Sequence, residues 1–413
     1  MATTKNTPMT EATDRTFAAT RRASDTRLIA SVSAAHFVSH FYMLVLPPLF
    51  GFVRADYAVS YTELGLALTV LNVVSAVLQT PAGFLVDRID ARLVLIAGLL
   101  FGAVGYALAA FVDSFWVLIL GFALIGVGNT VYHPADYALL SHRVSPERMS
   151  QAYSIHTFSG MLGSAATPIS VLLLHSLFGW RGAFFGAAIL GFVTAAILFM
   201  QRDTPSEQPS AKPHTAADTE ASWRLLLSHP ILMSLLFFML LSIANGGLQN
   251  YSVVAFGALY GTAPITANTA LTGNLLLSAI GVLAGGWITG RTTRHGMVAA
   301  LGLAASALAI ILLGFADPSA FLLIAIMSLA GLCSGIVMPS RDMLVRAVTP
   351  PGAFGKVFGF VTNGFNIAGI ASPLIFGALM DHGAPRAVFL LVGVCSLLAL
   401  AAVALTPRRQ IKT

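Results

Sequence analysis

Charge is scarce in this chain. Asp, Glu, Lys and Arg supply 10% of its 413 residues and hydrophobic side chains 56%, whereas ordinary soluble domains are about a quarter charged. That balance excludes a water-soluble globule. Cysteine is nearly absent: the two present, Cys333 and Cys395, sit in apolar stretches and imply neither a disulfide framework nor a thiolate metal site. No Gly-x-x-x-x-Gly-Lys-Ser/Thr phosphate loop occurs, since Lys356 follows only Gly352-Ala-Phe-Gly, so no nucleotide-binding domain is expected. No nucleophile–base pair or metal-ligand set can be assembled, which speaks against an enzyme and a bound metal or cofactor. The first 27 residues lack a short apolar core with a small-residue cleavage site, so no removable signal peptide is expected.

What is present in quantity is apolar runs of membrane-crossing length. Twelve are legible, near 28–52, 61–86, 92–112, 115–141, 147–176, 181–200, 228–257, 265–289, 296–315, 319–346, 354–380 and 384–406. In lipid such segments satisfy their backbone groups as helices. The fold class is therefore an all-α polytopic membrane protein. Of the 23 Lys and Arg residues, all but Arg54, Arg181, Arg386 and Arg341 fall in segments on one side when both termini are placed in the cytoplasm, as the positive-inside rule requires. The net charge of +6 thus reports topology and anionic lipid headgroups, not nucleic acid. The expected organisation is a disordered cytoplasmic tail (1–27), a six-helix half (28–200), a Pro-rich cytoplasmic linker (201–222), a second six-helix half (223–406) and a short cytoplasmic tail (407–413).

The two halves are copies. At an offset of 205 residues Pro134 falls on Pro339, Pro146 on Pro351, Pro168 on Pro373, Arg181 on Arg386 and Phe184 on Phe389. Six spans per copy keep both in one orientation, related by an axis along the membrane normal, as in transporters.

The polar residues inside the spans are the candidates for function, because an ionisable group there costs roughly 2.5–3.5 kcal/mol on insertion scales. The fourth span carries Asn129, His133 and Asp136 at spacings of four and three, which places them on one helical face. Pro134 frees the carbonyl of Thr130 within it. Asp136 and Arg341 occupy equivalent positions of the two copies and are expected to meet across a central path or, alternatively, to pair within their own halves, Asp136 with Arg143 or His133. Asp342, four residues before Arg346, is expected to pair with it. His36 and His40 share a face of the first span, and His40 corresponds to Asn245, which shares a face with Gln249. His133 suits proton coupling because imidazole titrates near neutrality. His156, Gln79, Asn363 and Asn366 complete the set of polar groups expected along the path. Ser60 and Glu63 fit a capping box opening the second span.

Two stretches carry a family resemblance. Gly83-x-x-x-Asp87-Arg88 with Arg92, between the second and third spans, resembles the signature of the major facilitator superfamily, and Gly179-Trp-Arg-x-x-Phe184 resembles its entry to the sixth helix. The resemblance implies twelve transmembrane helices in two six-helix repeats, with helices one, four, seven and ten lining the path. It also implies that Gly83, Asp87, Arg88 and Arg92 latch neighbouring helix ends in the outward-facing state. The second copy keeps Arg291 but has Gly290 where Asp87 stands, so the latch is expected to be stronger in the first half. His36-Phe-x-x-His40, Pro47-Pro48-Leu49, Tyr132-His133-Pro134, Ser154-Ile155 and Gly160-x-x-Gly163-x-x-x-x-Pro168 are similar to the fosmidomycin-resistance group, which exports a small phosphonate antibiotic against a proton gradient. That group often has an acidic residue where His40 stands and a Gly-Pro pair where Thr167-Pro168 stands.

The expected function is secondary active transport by alternating access in a bacterial inner membrane. Protons would couple to export of a small, anionic organic compound by a monomer, with Arg341 as its cationic contact. The alternatives are import of a metabolite such as an organic acid or sugar, and a ligand sensor that moves nothing.

Overall fold

The computed structural model describes residues 8–145, 148–201, 224–350 and 354–404. The tail at 407–413 and the linker beyond Gln201 lie outside the described residues. Helix α1 (Pro8–Met43) leads through a 3₁₀ turn at Pro47–Leu49 into the short α2 (Phe50–Tyr57). Then follow α3 (Tyr61–Arg88), α4 (Ala91–Phe111), α5 (Phe115–Asn129), α6 (Tyr132–Arg143) and α7 (Met149–Met200). After the linker come α8 (His229–Tyr260), α9 (Pro264–Thr289), α10 (His295–Leu313), α11 (Ala320–Val348), α12 (Phe354–Asp381) and α13 (Pro385–Ala404).

Among the described residues eleven helices are long and apolar enough to cross a membrane. One of them, α7, has 52 residues and turns at Gly179, whose φ of 70° and ψ of 176° are not helical. Only glycine adopts that region at no steric cost, so the fifth and sixth spans meet at a single residue and the crossings number twelve. Helix α3 opens with the expected capping box, Ser60 accepting from the Glu63 amide and Glu63 accepting from the Ser60 amide.

Helices α1 to α7 pack mainly among themselves, α1 on α7 and α4 on both α5 and α7. Helices α8 to α13 do likewise, α9 on α11 and α8 on α12 and α13. Close approach through small residues drives this packing where no hydrophobic effect separates helix from lipid. At Gly163 a Cβ would come 2.2 Å from the Phe37 carbonyl oxygen, so α1 lies directly on α7 there. Between the sets, α3 packs on α12 and α7 on α9.

Arg88, Arg92, Arg143, Arg148, Arg291 and Arg294, in or beside the links after α3, α6 and α9, define a basic face. There Arg92 donates through Nε to the Leu198 carbonyl at 2.8 Å and reaches the carbonyls of Phe199 and Gln201. A cation on the last carbonyls of α7 satisfies groups the helix itself cannot. Asp90 caps α4 through the Arg92 amide and pairs with Arg143 at 3.0 Å. In the second copy Arg291, just past the end of α9, stacks on Trp287 of that helix, 3.9 Å from the ring centroid. Arg88 is exposed, while the surroundings of Gly83 and the side chain of Asp87 lie outside the described residues.

One expectation is corrected here. Residues 8–27, read as a disordered tail, belong to α1. Their end is docked: buried Asp25 accepts from the Ser145 hydroxyl at 2.5 Å, and Arg148 donates to the Thr26 hydroxyl at 2.9 Å and to the Arg22 carbonyl. The fourth span runs from Phe115 to Ser141 as read, and tightens between α5 and α6, where the Thr130 and Val131 amides donate to carbonyls three residues back while both residues keep right-handed helical φ and ψ. Pro134 has no amide to offer Thr130. The equivalent Pro339 lies inside an unbroken α11.

Candidate substrate and proton site

Helix α6 packs against α1 and α7, where four imidazoles surround one carboxylate. Asp136 is fully buried, and its Oδ2 lies 3.0 Å from His156 Nε2, itself 1% exposed. His156 stacks on His36 with ring centroids 3.8 Å apart and planes 6° from parallel. His36 Nδ1 donates to the His156 carbonyl oxygen at 2.8 Å. A carbonyl only accepts, so this bond fixes the proton of neutral His36 on Nδ1 and leaves Nε2 bare. His40 lies edge-on to His36 at 4.7 Å and His133 at 5.5 Å. His40 Nδ1 is 3.2 Å from the Ser164 hydroxyl. Gly160 makes room for the cluster, because a Cβ there would come 2.6 Å from His36.

Four polar atoms of this cluster are buried with no hydrogen-bond partner: His36 Nε2, His156 Nδ1, Asp136 Oδ1 and the Tyr132 hydroxyl. Such atoms cost free energy in a low-dielectric interior unless something arrives to meet them. His133, by contrast, is exposed, with Tyr137 stacked beside it at 6.2 Å. A metal ion is the other candidate occupant, since donor atoms of His36, Asp136 and His156 lie within 4.8 Å of one another. Tetrahedral ligands at about 2.1 Å from zinc are only about 3.4 Å apart. Parallel stacked rings also direct their lone pairs in parallel planes, so chelation would require one ring to leave the stack.

Arg341 sits in the other set. Its guanidinium covers Phe238 at 4.3 Å and Phe365 at 5.6 Å from the ring centroids, and its Nε donates to Asp342 at 2.9 Å. It lines a cavity with Asn245, Ser334 and Ser396. In this conformation Asp136 and Arg341 do not pair across the path: each is held inside its own set, as in the alternative arrangement, Asp136 by His156 and Arg341 by Asp342 and two aromatic rings. The partner of Asp136 is neither Arg143, which bonds Asp90, nor His133. Asp342 accepts from Arg341 where Arg346 was expected.

The remaining candidates divide. The Asn129 amide donates to the Ser75 hydroxyl at 3.2 Å and joins α5 to α3. Asn366 donates to Asn363 at 3.4 Å. Gln79 is exposed and Gln249 half-buried. The sequence undervalued His156, since twenty residues and a change of helix separate it from Asp136 and no local spacing announces the pair. It missed Asp381 altogether, a carboxylate at a helix end.

The sequence model of the Major Facilitator Superfamily matches residues 32–262 and 240–413, and the chain belongs to that superfamily of membrane transporters. It is a multi-pass transporter, not an enzyme. Among curated proteins it is 22% identical over 389 residues to the fosmidomycin resistance protein of Escherichia coli (strain K12), covering 93% of each chain. It is 26% identical over 353 residues to a probable nitrate/nitrite transporter of Mycobacterium tuberculosis, covering 82% of this chain and 85% of that one. Among solved structures, a bacterial homologue of the human lysosomal transporter Spinster, inward-facing and unoccupied, shares the fold with a TM-score of 0.78 at 12% identity, over 92% of this chain and 96% of that one.

Proposed function

We propose that this transporter exports a small organic anion across the bacterial inner membrane in exchange for protons. In this reading the cluster around Asp136 is the proton site and Arg341 the anion's cationic contact. The observation that carries the reading is the Asp136–His156 pair. A carboxylate with no exposed surface, partnered by an imidazole rather than by Lys or Arg, keeps its place by holding a proton within the pair. Losing that proton leaves an uncompensated buried charge, and that imbalance ties protonation to conformation. The bare nitrogen of His36 and the free oxygen of Asp136 give an arriving proton or an acidic ligand somewhere to bind. The basic face is the cytoplasmic one by the positive-inside rule. The fosmidomycin-resistance relative supports export. The anion is supported by Arg341, whose charge is held between aromatic rings beside a polar cavity.

The test is drug susceptibility of a hypersensitive bacterial host expressing the chain, with fosmidomycin in the panel and Asp136→Asn beside it. Resistance that falls about tenfold or more in the variant, the scale of a lost charge-assisted hydrogen bond, supports proton-driven export. Unchanged susceptibility with the protein present in the membrane removes fosmidomycin-like drugs from the reading. Increased sensitivity turns it to uptake. That second reading, import of a small anion, is favoured by the nitrate/nitrite relative. Substrate entry driven by an inward proton gradient in proteoliposomes would establish it.

A further inference from the structure

Asp381 is the last residue of α12. A carboxylate there opposes its own helix, whose C-terminal end is the negative end of the macrodipole. Its bonds go elsewhere. Oδ1 accepts from the Tyr61 amide at 2.7 Å, while Oδ2 accepts from the Thr62 amide at 2.8 Å and the Thr62 hydroxyl at 2.5 Å. These are groups at the first turn of α3, in the other six-span set. The capping box of α3 serves only Ser60 and Glu63. Asp381 therefore completes the N-terminus of a helix to which it does not belong, at the end where that helix attracts an anion.

The surroundings are built for close approach of the two sets at this place. A Cβ on Gly377 would lie 2.9 Å from Thr62, and one on Gly65 2.6 Å from the Pro373 carbonyl oxygen. Deeper along the same contact the Thr69 hydroxyl donates to the Ile370 carbonyl at 3.1 Å. Arg54 lies over the Tyr61 ring at 4.8 Å, adding positive charge beside the carboxylate. All these groups lie toward the face away from the basic links.

We propose that Asp381 is a breakable lock that holds the two sets together on that face. It favours the conformation described here over one open on that same face. The inference rests on the alternating-access reading but not on the identity of the substrate or the proton site. Asp381 is exposed and its partners Tyr61 and Thr62 are half-buried, so on opening water reaches each bond, and the lock biases the equilibrium without freezing it. A charge-assisted cap of this kind is expected to shift the closed-to-open ratio by roughly five- to thirtyfold.

The experiment measures spin-label distances in protein reconstituted in nanodiscs. Cysteines at Trp116 and Phe321 carry the labels. These residues are 71% and 81% exposed, 205 positions apart, and open α5 and α11. Cys333→Ala and Cys395→Ala remove the native thiols. Asp381→Ala should move the population to longer distances by that factor, Asp381→Asn by less, and Asp381→Glu should recover part of the short population. Asp381→Asn keeps the size of the side chain and serves where the alanine variant does not fold. An unchanged ratio in both variants, while acid or fosmidomycin still moves the wild-type distances, overturns the lock alone. A distance that nothing moves overturns the lock and alternating access together.

Discussion

Asp136 and Arg341 are the residues whose chemistry is hardest to explain without function. Each is an ionisable group inside a span, and each has found a local partner that satisfies it only in part. Asp136 has an oxygen without a bond; Arg341 leans on two rings and a carboxylate beside it in sequence. Their equivalent positions in the two copies underlie the proposal that they meet when the sets close on the basic face. The double variant Asp136→Arg with Arg341→Asp is therefore expected to regain part of the transport that either single reversal abolishes, read as counterflow in proteoliposomes. No recovery at all would leave the two charges with separate roles.

At the scale of the helix, the fourth span carries the site. Helical hydrogen bonding is interrupted at Thr130 and Val131, one turn before Pro134, whereas Pro339 lies inside an uninterrupted α11, so the two copies differ where the polar cluster exists in only one. Pro134→Ala restores the missing amide and, since an interior proline costs a helix about 3 kcal/mol, should raise thermal stability. Transport should fall at the same time, because a continuous helix rotates Asp136 out of the stack. A variant that gains stability and keeps full transport would make the interruption a packing detail. Much at this scale was legible in the sequence. The capping box, the spans and the paired face of His36 and His40 all follow from local spacing, which a helix turns directly into geometry. The stack of His36 on His156 and the cap on α3 were not legible, because they join helices remote in sequence and depend on packing that no spacing rule encodes. The docking of α1 residues 22–27 was hidden for the same reason: the sequence shows polar residues, and only the fold brings Asp25 to Ser145.

For the whole molecule, the hydrogen bonds and glycine contacts between α3 and α12 lie away from the basic face, while His133 and Tyr137 are exposed within a span. Polar side chains with that exposure point to a water-filled crevice, not to lipid. A membrane-impermeant thiol reagent applied from the basic side should label His133→Cys in the cysteine-free background, and labelling from the other side should be at least about tenfold slower, as expected for a minor conformer. Equal rates would mean that the path is not closed at α3 and α12. The duplication made the two-copy plan readable from five matched residues. The conformation was not readable, since both ends of a transport cycle share one sequence.

The links on the face away from the basic residues are very short. They consist of residues 58–60, 112–114, 261–263, 314–319 and 382–384, and between the fifth and sixth spans of Gly179 alone. With the orientation proposed, that surface faces the periplasm. A protease arriving from that side would meet helix ends and almost no loop to cut. An epitope tag meant to be read from the periplasm would have to be inserted at 314–319, the longest of these links.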